Sequence, residues 1–187
     1  SFAIAPVKAD KVLSPEFKAA DHPVYLFSSE DSKSAWEALY DLHQAGKVKA
    51  AWAVEHGLAQ AVMNMSFGNQ IGFQAGMEPV DWYADMPGAI VAELTEEVNL
   101  PCAKRLGETT QPAMIALPGE AVSVDELLKL NDGVLEQVYP TRAGSGEAVE
   151  PISWDKRSIA VCKHKVARPK AVIPVFPGTN CEYDTAQ

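Results

Sequence analysis

Paired cysteines are missing from this sequence. Cys102, Cys162 and Cys181 form no Cys-x-x-Cys spacing and leave one over, which argues against a disulfide framework and a cysteine-rich zinc site. Basic charge is also scarce: 16 Lys and Arg stand against 25 Asp and Glu, a formal charge of −9, so neither a nucleic acid nor an anionic membrane surface is an expected partner. No stretch approaches the run of about eighteen apolar residues that a membrane-crossing helix needs. The opening residues are charged too early for a signal peptide, and a cytoplasmic address is the expectation.

What is present suits one folded domain. The 187 residues are 47% hydrophobic and include 4 Trp, 5 Tyr and 6 Phe, enough to build a single core. Residues 1–23 carry Pro6, Pro15 and Pro23 without a sustained period and read as an extended lead-in. After it, Val24–Phe27 is a short apolar run that reads as a buried strand.

Ser34 and Glu37 have capping-box spacing, and Trp36, Leu39, Tyr40 and His43 repeat at helical intervals up to Gly46, which predicts a helix. Residues 47–54 read as a link or strand, and Leu58, Ala61, Val62 and Met65 place a second helix over about 57–67. Residues 71–75, 89–94 and 113–117 read as strands, with a last short one opening at Val122. Ser123 and Glu126 repeat the capping spacing, predicting a helix over 125–139 kinked by Gly133. The expected fold class is α+β, a mixed β-sheet packed by helices and followed by an extended C-terminal linker.

That domain spans 24–142. From residue 143 to 170 the composition turns linker-like, and Asp155–Lys170 holds six basic residues and one acidic; taking its +5 from −9 leaves the rest at −14. Residues 171–187 then read as a strand, a Pro-Gly turn and the first turn of a helix, the opening step of a parallel sheet without its partner strands. The chain reads as an excerpt that ends inside a second domain.

Candidate chemistry is sparse. Glu93, Glu96 and Glu97 would converge on a helix, but the strand expected over 89–94 breaks that spacing and leaves a solvated strand end. Asp81 and Asp85 read as a surface turn, His43 as a packing residue, His22 as the residue before a proline, and His164 as part of the linker. Glu55, His56 and Gly57 draw more interest, because a tight strand-to-helix junction directs backbone amides outward toward anions. Cys181 follows a turn with only one glycine, which does not make a nucleophile elbow. No catalytic or metal-ligating residue is assigned.

Two stretches carry a resemblance. Ile173-Pro174-Val175-Phe176-Pro177-Gly178-Thr179-Asn180-Cys181-Glu182-Tyr183-Asp184-Thr185-Ala186 resembles the opening of the glutaminase domain of the large, fused phosphoribosylformylglycinamidine synthases, with its turn at Gly178, Thr179 and Asn180. Leu58–Gly72, with Met63-Asn64-Met65-Ser66-Phe67-Gly68-Asn69, is similar to the C-terminal domain of the aminoimidazole ribonucleotide synthetase superfamily, and Leu106-Gly107-Glu108 suits the same module.

The resemblance implies part of a ligase of purine biosynthesis. Such an enzyme uses ATP with magnesium, takes ammonia from glutamine, and converts formylglycinamide ribonucleotide to the amidine. Its implied partners are the remaining synthetase and glutaminase domains and those small substrates, while this piece acts as a docking module that is inactive alone and binds no cofactor itself. The family's glutaminase nucleophile lies further downstream in a Gly-x-Cys-Asn-Gly elbow, so Cys181 does not inherit that role.

Many relatives carry His-Asp-x-Ser-Asp-Gly-Gly before the second helix, where this sequence reads Ala51-Trp52-Ala53-Val54-Glu55-His56-Gly57. Only Glu55 keeps a carboxylate, which implies lost magnesium and nucleotide contacts. Another ATP-cleaving synthetase of the superfamily, such as a selenophosphate synthetase relative, and a non-catalytic interaction module stand as alternatives.

Overall fold

The computed structural model describes residues 4, 6–141, 150–154, 156, 161, 163–168 and 170–187. Backbone contacts divide the chain into two units, Ser1–Ala143 and Gly144–Gln187.

In the first unit the elements follow in the order β1 (Pro23–Phe27), α1 (Lys33–Gln44), β2 (Val48–Ala53), α2 (Leu58–Phe67), β3 (Gly72–Ala75), β4 (Ile90–Leu94), β5 (Ala103–Thr110), β6 (Met114–Leu117), β7 (Glu120–Ser123) and α3 (Val124–Gly133). Among the described residues the strands form one seven-stranded sheet in the order β2-β4-β1-β5-β3-β6-β7. The β3–β6 pair is parallel and the other pairs are antiparallel, so the sheet is mixed and the α+β expectation holds.

β1 shows why its short run is buried throughout. Side chains alternate across a strand, and Val24 and Leu26 enter one core while Tyr25 and Phe27 enter another on the opposite face. The larger core gathers Leu58, Ala61, Val62 and Met65 of α2, Val124 of α3, and Phe17, Phe73 and Trp82. The smaller is closed by Ala35 and Leu39 of α1. No helix among the described residues is long and apolar enough to cross a membrane.

Several expectations are corrected. In α1 the capping box does not form; the Asp31 carboxylate accepts from Ser34 N at 3.3 Å and from Ser34 Oγ at 2.8 Å, and Glu37 pairs instead with Lys33. The buried stripe of α1 is Ala35 and Leu39, while Trp36 and Tyr40 lie exposed, because the helix is rotated by about one residue from the stripe its aromatics suggest. The Trp36 indole is held by donating to the Gly88 carbonyl at 2.7 Å.

α3 keeps its expected cap, with Ser123 Oγ accepting from Glu126 N at 3.0 Å, but ends at Gly133 rather than 139. Glycine is costly inside a helix, and the apolar residues after it, Val134, Leu135 and Val138, are exposed, so no burial offsets that cost. β5 is absent from the sequence-based expectation, yet it is the central strand, pairing with β1 on one side and β3 on the other. Glycine is required there: a Cβ on Gly107 would lie 2.1 Å from the Gln74 carbonyl oxygen.

The lead-in is partly built into this unit. Phe17 is fully buried and stacks on Phe73 with centroids 6.5 Å apart. Glu93, expected at a solvated strand end, is fully buried. Its carboxylate accepts from Lys18 N at 2.8 Å, Ala19 N at 3.2 Å and His22 Nδ1 at 2.6 Å. Buried Thr109 completes the clasp, accepting from His22 N at 2.9 Å and donating to the Ala19 carbonyl at 2.7 Å.

In the second unit no strand forms over 171–176 among the described residues. An extended segment becomes a strand only when paired, and Val172, Val175 and Phe176 are exposed instead. The turn at Pro177–Asn180 is present, with Thr179 Oγ1 accepting from Phe176 N at 2.9 Å, and a five-residue helix α4 (Glu182–Ala186) follows. The basic stretch 155–170 and Cys162 lie partly or wholly outside the described residues.

Candidate functional site

β2 ends at the edge of the larger core. Val54 is buried, with its amide donating to the Ala89 carbonyl at 2.9 Å, and the chain then turns outward through exposed Glu55 and His56. Gly57 brings it back with φ +90°, and a Cβ there would lie 2.8 Å from the Trp82 carbonyl oxygen. A side chain would therefore meet both a left-handed backbone and a blocked space.

The same carbonyl accepts from Ala59 N at 2.9 Å. One first-turn amide of α2, expected to face outward toward an anion, is thus already satisfied from within the chain.

The segment that satisfies it is itself fixed. Trp82 is buried edge-on against Phe73, with centroids 5.8 Å apart and planes at 66°. Asp81 Oδ1 accepts from Tyr83 N at 3.0 Å and Ala84 N at 3.1 Å, so the surface turn expected at this aspartate is present. Tyr83 then extends outward, and its hydroxyl donates to Glu120 Oε1. That bond pushes the Tyr83 phenol above its ordinary pKa, because the carboxylate acceptor favours the protonated hydroxyl.

Between α2, β6, β7 and α3 lies a cavity of about 330 Å³. Met63, Ile115, Leu117, Val122 and Leu127 make its apolar lining, and His56, Gln60, Tyr83 and Glu120 supply its polar groups. Of the three residues singled out at this junction, the structure places His56 at the cavity, Gly57 under the Trp82 segment, and Glu55 exposed beside them. Tyr83, Gln60 and Glu120 escape sequence reasoning, since nothing local links positions 37 residues apart.

Gly178, Thr179 and Asn180 form the C-terminal turn, and Cys181 is exposed with φ +63° at the start of α4. Glu97 stands in a separate cluster: it accepts from the Tyr25 hydroxyl and, at 2.9 Å, from Arg105 Nε. These bonds, the tyrosine's first, hold its carboxyl below the usual range. Among the described residues no group of three or more His, Cys, Asp or Glu could hold a metal ion.

No family model and no curated protein matches this sequence. Solved structures do match its fold. Phosphoribosylformylglycinamidine synthase II from Thermotoga maritima aligns at TM-score 0.52 and 10% identity, covering 79% of this chain and 31% of that one. T. maritima PurL complexed with FGAR aligns at 0.54 and 12%, covering 81% and 33%. The same protein complexed with AMPPCP aligns at 0.53 and 10%, covering 95% and 33%. The likeness shows a shared fold, with this chain spanning about a third of those structures.

Proposed function

We propose that this chain is a structural and docking module of a glutamine-dependent, ATP-cleaving ligase, which converts formylglycinamide ribonucleotide to its amidine in purine biosynthesis. The observation that carries the reading is the fold likeness to a synthase of that name, the family that the motifs at 58–72 and 173–186 resemble. The module presents a rigid mixed sheet between an ATP-cleaving half and a glutaminase domain. Activation of the amide oxygen by phosphorylation and hydrolysis of glutamine belong to those other domains.

The donor set at the β2–α2 turn does not fit magnesium. A hard cation takes oxygen ligands, whereas Trp52 packs against the larger core, Val54 is buried within it, and Glu55 alone offers a carboxylate. No step is therefore routed through a metal or nucleotide held here. Millimolar Mg·ADP should leave the melting temperature of the 187-residue chain unchanged, and a clear upward shift would overturn this point.

The decisive experiment measures glutamine-dependent ADP release from ATP and formylglycinamide ribonucleotide. A full-length parent chain is expected to be active and this chain alone silent. A folded but silent parent would reject the ligase reading.

A further inference from the structure

The cavity beside α2 has features that a scaffold does not require. Its wall is set in advance: the Asp81 turn, the buried Trp82 ring and the Trp82–Ala59 hydrogen bond fix the backbone from which Tyr83 projects. At about 330 Å³ it falls within the size range of small-molecule pockets, roughly 300–1,000 Å³.

Its charge is one-sided. Among the described residues Glu120 is the only carboxylate that lines the cavity, and no Lys or Arg lines it. In the first turn of α3, directly after β7, Glu126 adds negative charge, while Asp125 is paired with Lys129 at 2.6 Å. An anionic ligand would meet the Glu120 carboxylate, and a wholly apolar one would leave Glu120 bonded only to Tyr83.

We propose that this cavity binds a small organic cation, an amine carried on an apolar ring or chain. Its ammonium pairs with Glu120 in place of the Tyr83 hydroxyl, and its apolar body lies on Met63, Ile115 and Leu127. Both Tyr83 and Glu120 are exposed, so exchanging one donor for another disturbs no packing. A charged donor on a carboxylate forms a stronger hydrogen bond than a neutral phenol does, which gives the exchange its direction. The proposal does not rest on the ligase reading, since neither nucleotide nor glutamine enters it.

The test uses the 187-residue chain and three probes of matched size: 2-phenylethylamine, 2-phenylethanol and phenylacetate. Binding is followed by NMR at His56, Gln60 and Leu127. The amine is expected to bind about two- to fivefold more tightly than the alcohol, with the acid weakest, and Glu120→Gln should bring the amine to the level of the alcohol. Equal binding of the three probes, binding that leaves those resonances unmoved, no binding at millimolar concentration, or a Glu120→Gln variant that retains the preference would each overturn it.

Discussion

The two irregular stretches of this chain, the lead-in before β1 and the segment after Ala143, share proline-bearing sequences without helical or strand periodicity. They meet different fates. The lead-in places Phe17 in the larger core and hands two amides and an imidazole to buried Glu93. The later segment buries no residue among those described, and its comparable aromatic, Phe176, is 68% exposed. Irregular backbone becomes part of a domain when an apolar anchor is buried and the polar groups dragged in with it find partners.

The sharpest way to break this contrast is to remove the anchor. Phe17→Ala should cost about 3–5 kcal/mol, as large-to-small changes at fully buried phenylalanines do. Urea denaturation would measure it, and a cost under about 1 kcal/mol would mean that the stack on Phe73 contributes little.

Next comes the clasp. Glu93→Ala leaves the Lys18 and Ala19 amides without an acceptor and should cost about 2–3 kcal/mol. Hydrogen exchange should then accelerate at those two amides before it does in β5. Unchanged protection there would show that the carboxylate is not what holds the segment.

A smaller effect lies at the surface. Hydrogen bonds from Lys18 and then Ser14 hold the Glu16 carboxyl down to about 2. A depressed carboxylate stabilises the fold above its unfolded pKa and loses that contribution as pH falls toward its folded one. Glu16 is part-exposed and open to solvent screening, so the effect on stability is slight, but an NMR titration should place its midpoint near 2, and Lys18→Ala should return it toward the ordinary glutamate range.

The smallest effect is expected at the other end. Phe176→Ala should change the unfolding free energy of the first unit by no more than about 0.5 kcal/mol. A loss rivalling that of Phe17→Ala would erase the distinction between the two stretches.

These cases also separate what the sequence discloses from what it hides. β1, α2 and β4 are legible because each is an unbroken apolar run or a regular apolar stripe, signals that reside within a few neighbouring residues. β5 is hidden because Ala103–Thr110 is largely polar and contains a glycine; its position comes from β1 and β3 on either side. Glu93 looks like any solvated carboxylate, since the groups that bury it come from residues 71 to 75 positions earlier. At the candidate site, His56 and Gly57 are legible from the strand-to-helix junction. The Tyr83–Glu120 contact is not, because tertiary structure alone brings the two together.

The clasp also has a consequence in time. The lead-in is synthesised before β4 and β5, and its partners Glu93 and Thr109 lie 75 and 90 positions from the backbone groups they hold. At about 5–20 residues per second, Phe17 waits several seconds on the ribosome before those partners exist. Such long-range closure predicts slow folding. In refolding, the amides of residues 18 and 19 should gain protection only with β4 and β5, so a segment made ahead of the sheet settles no earlier than the sheet does.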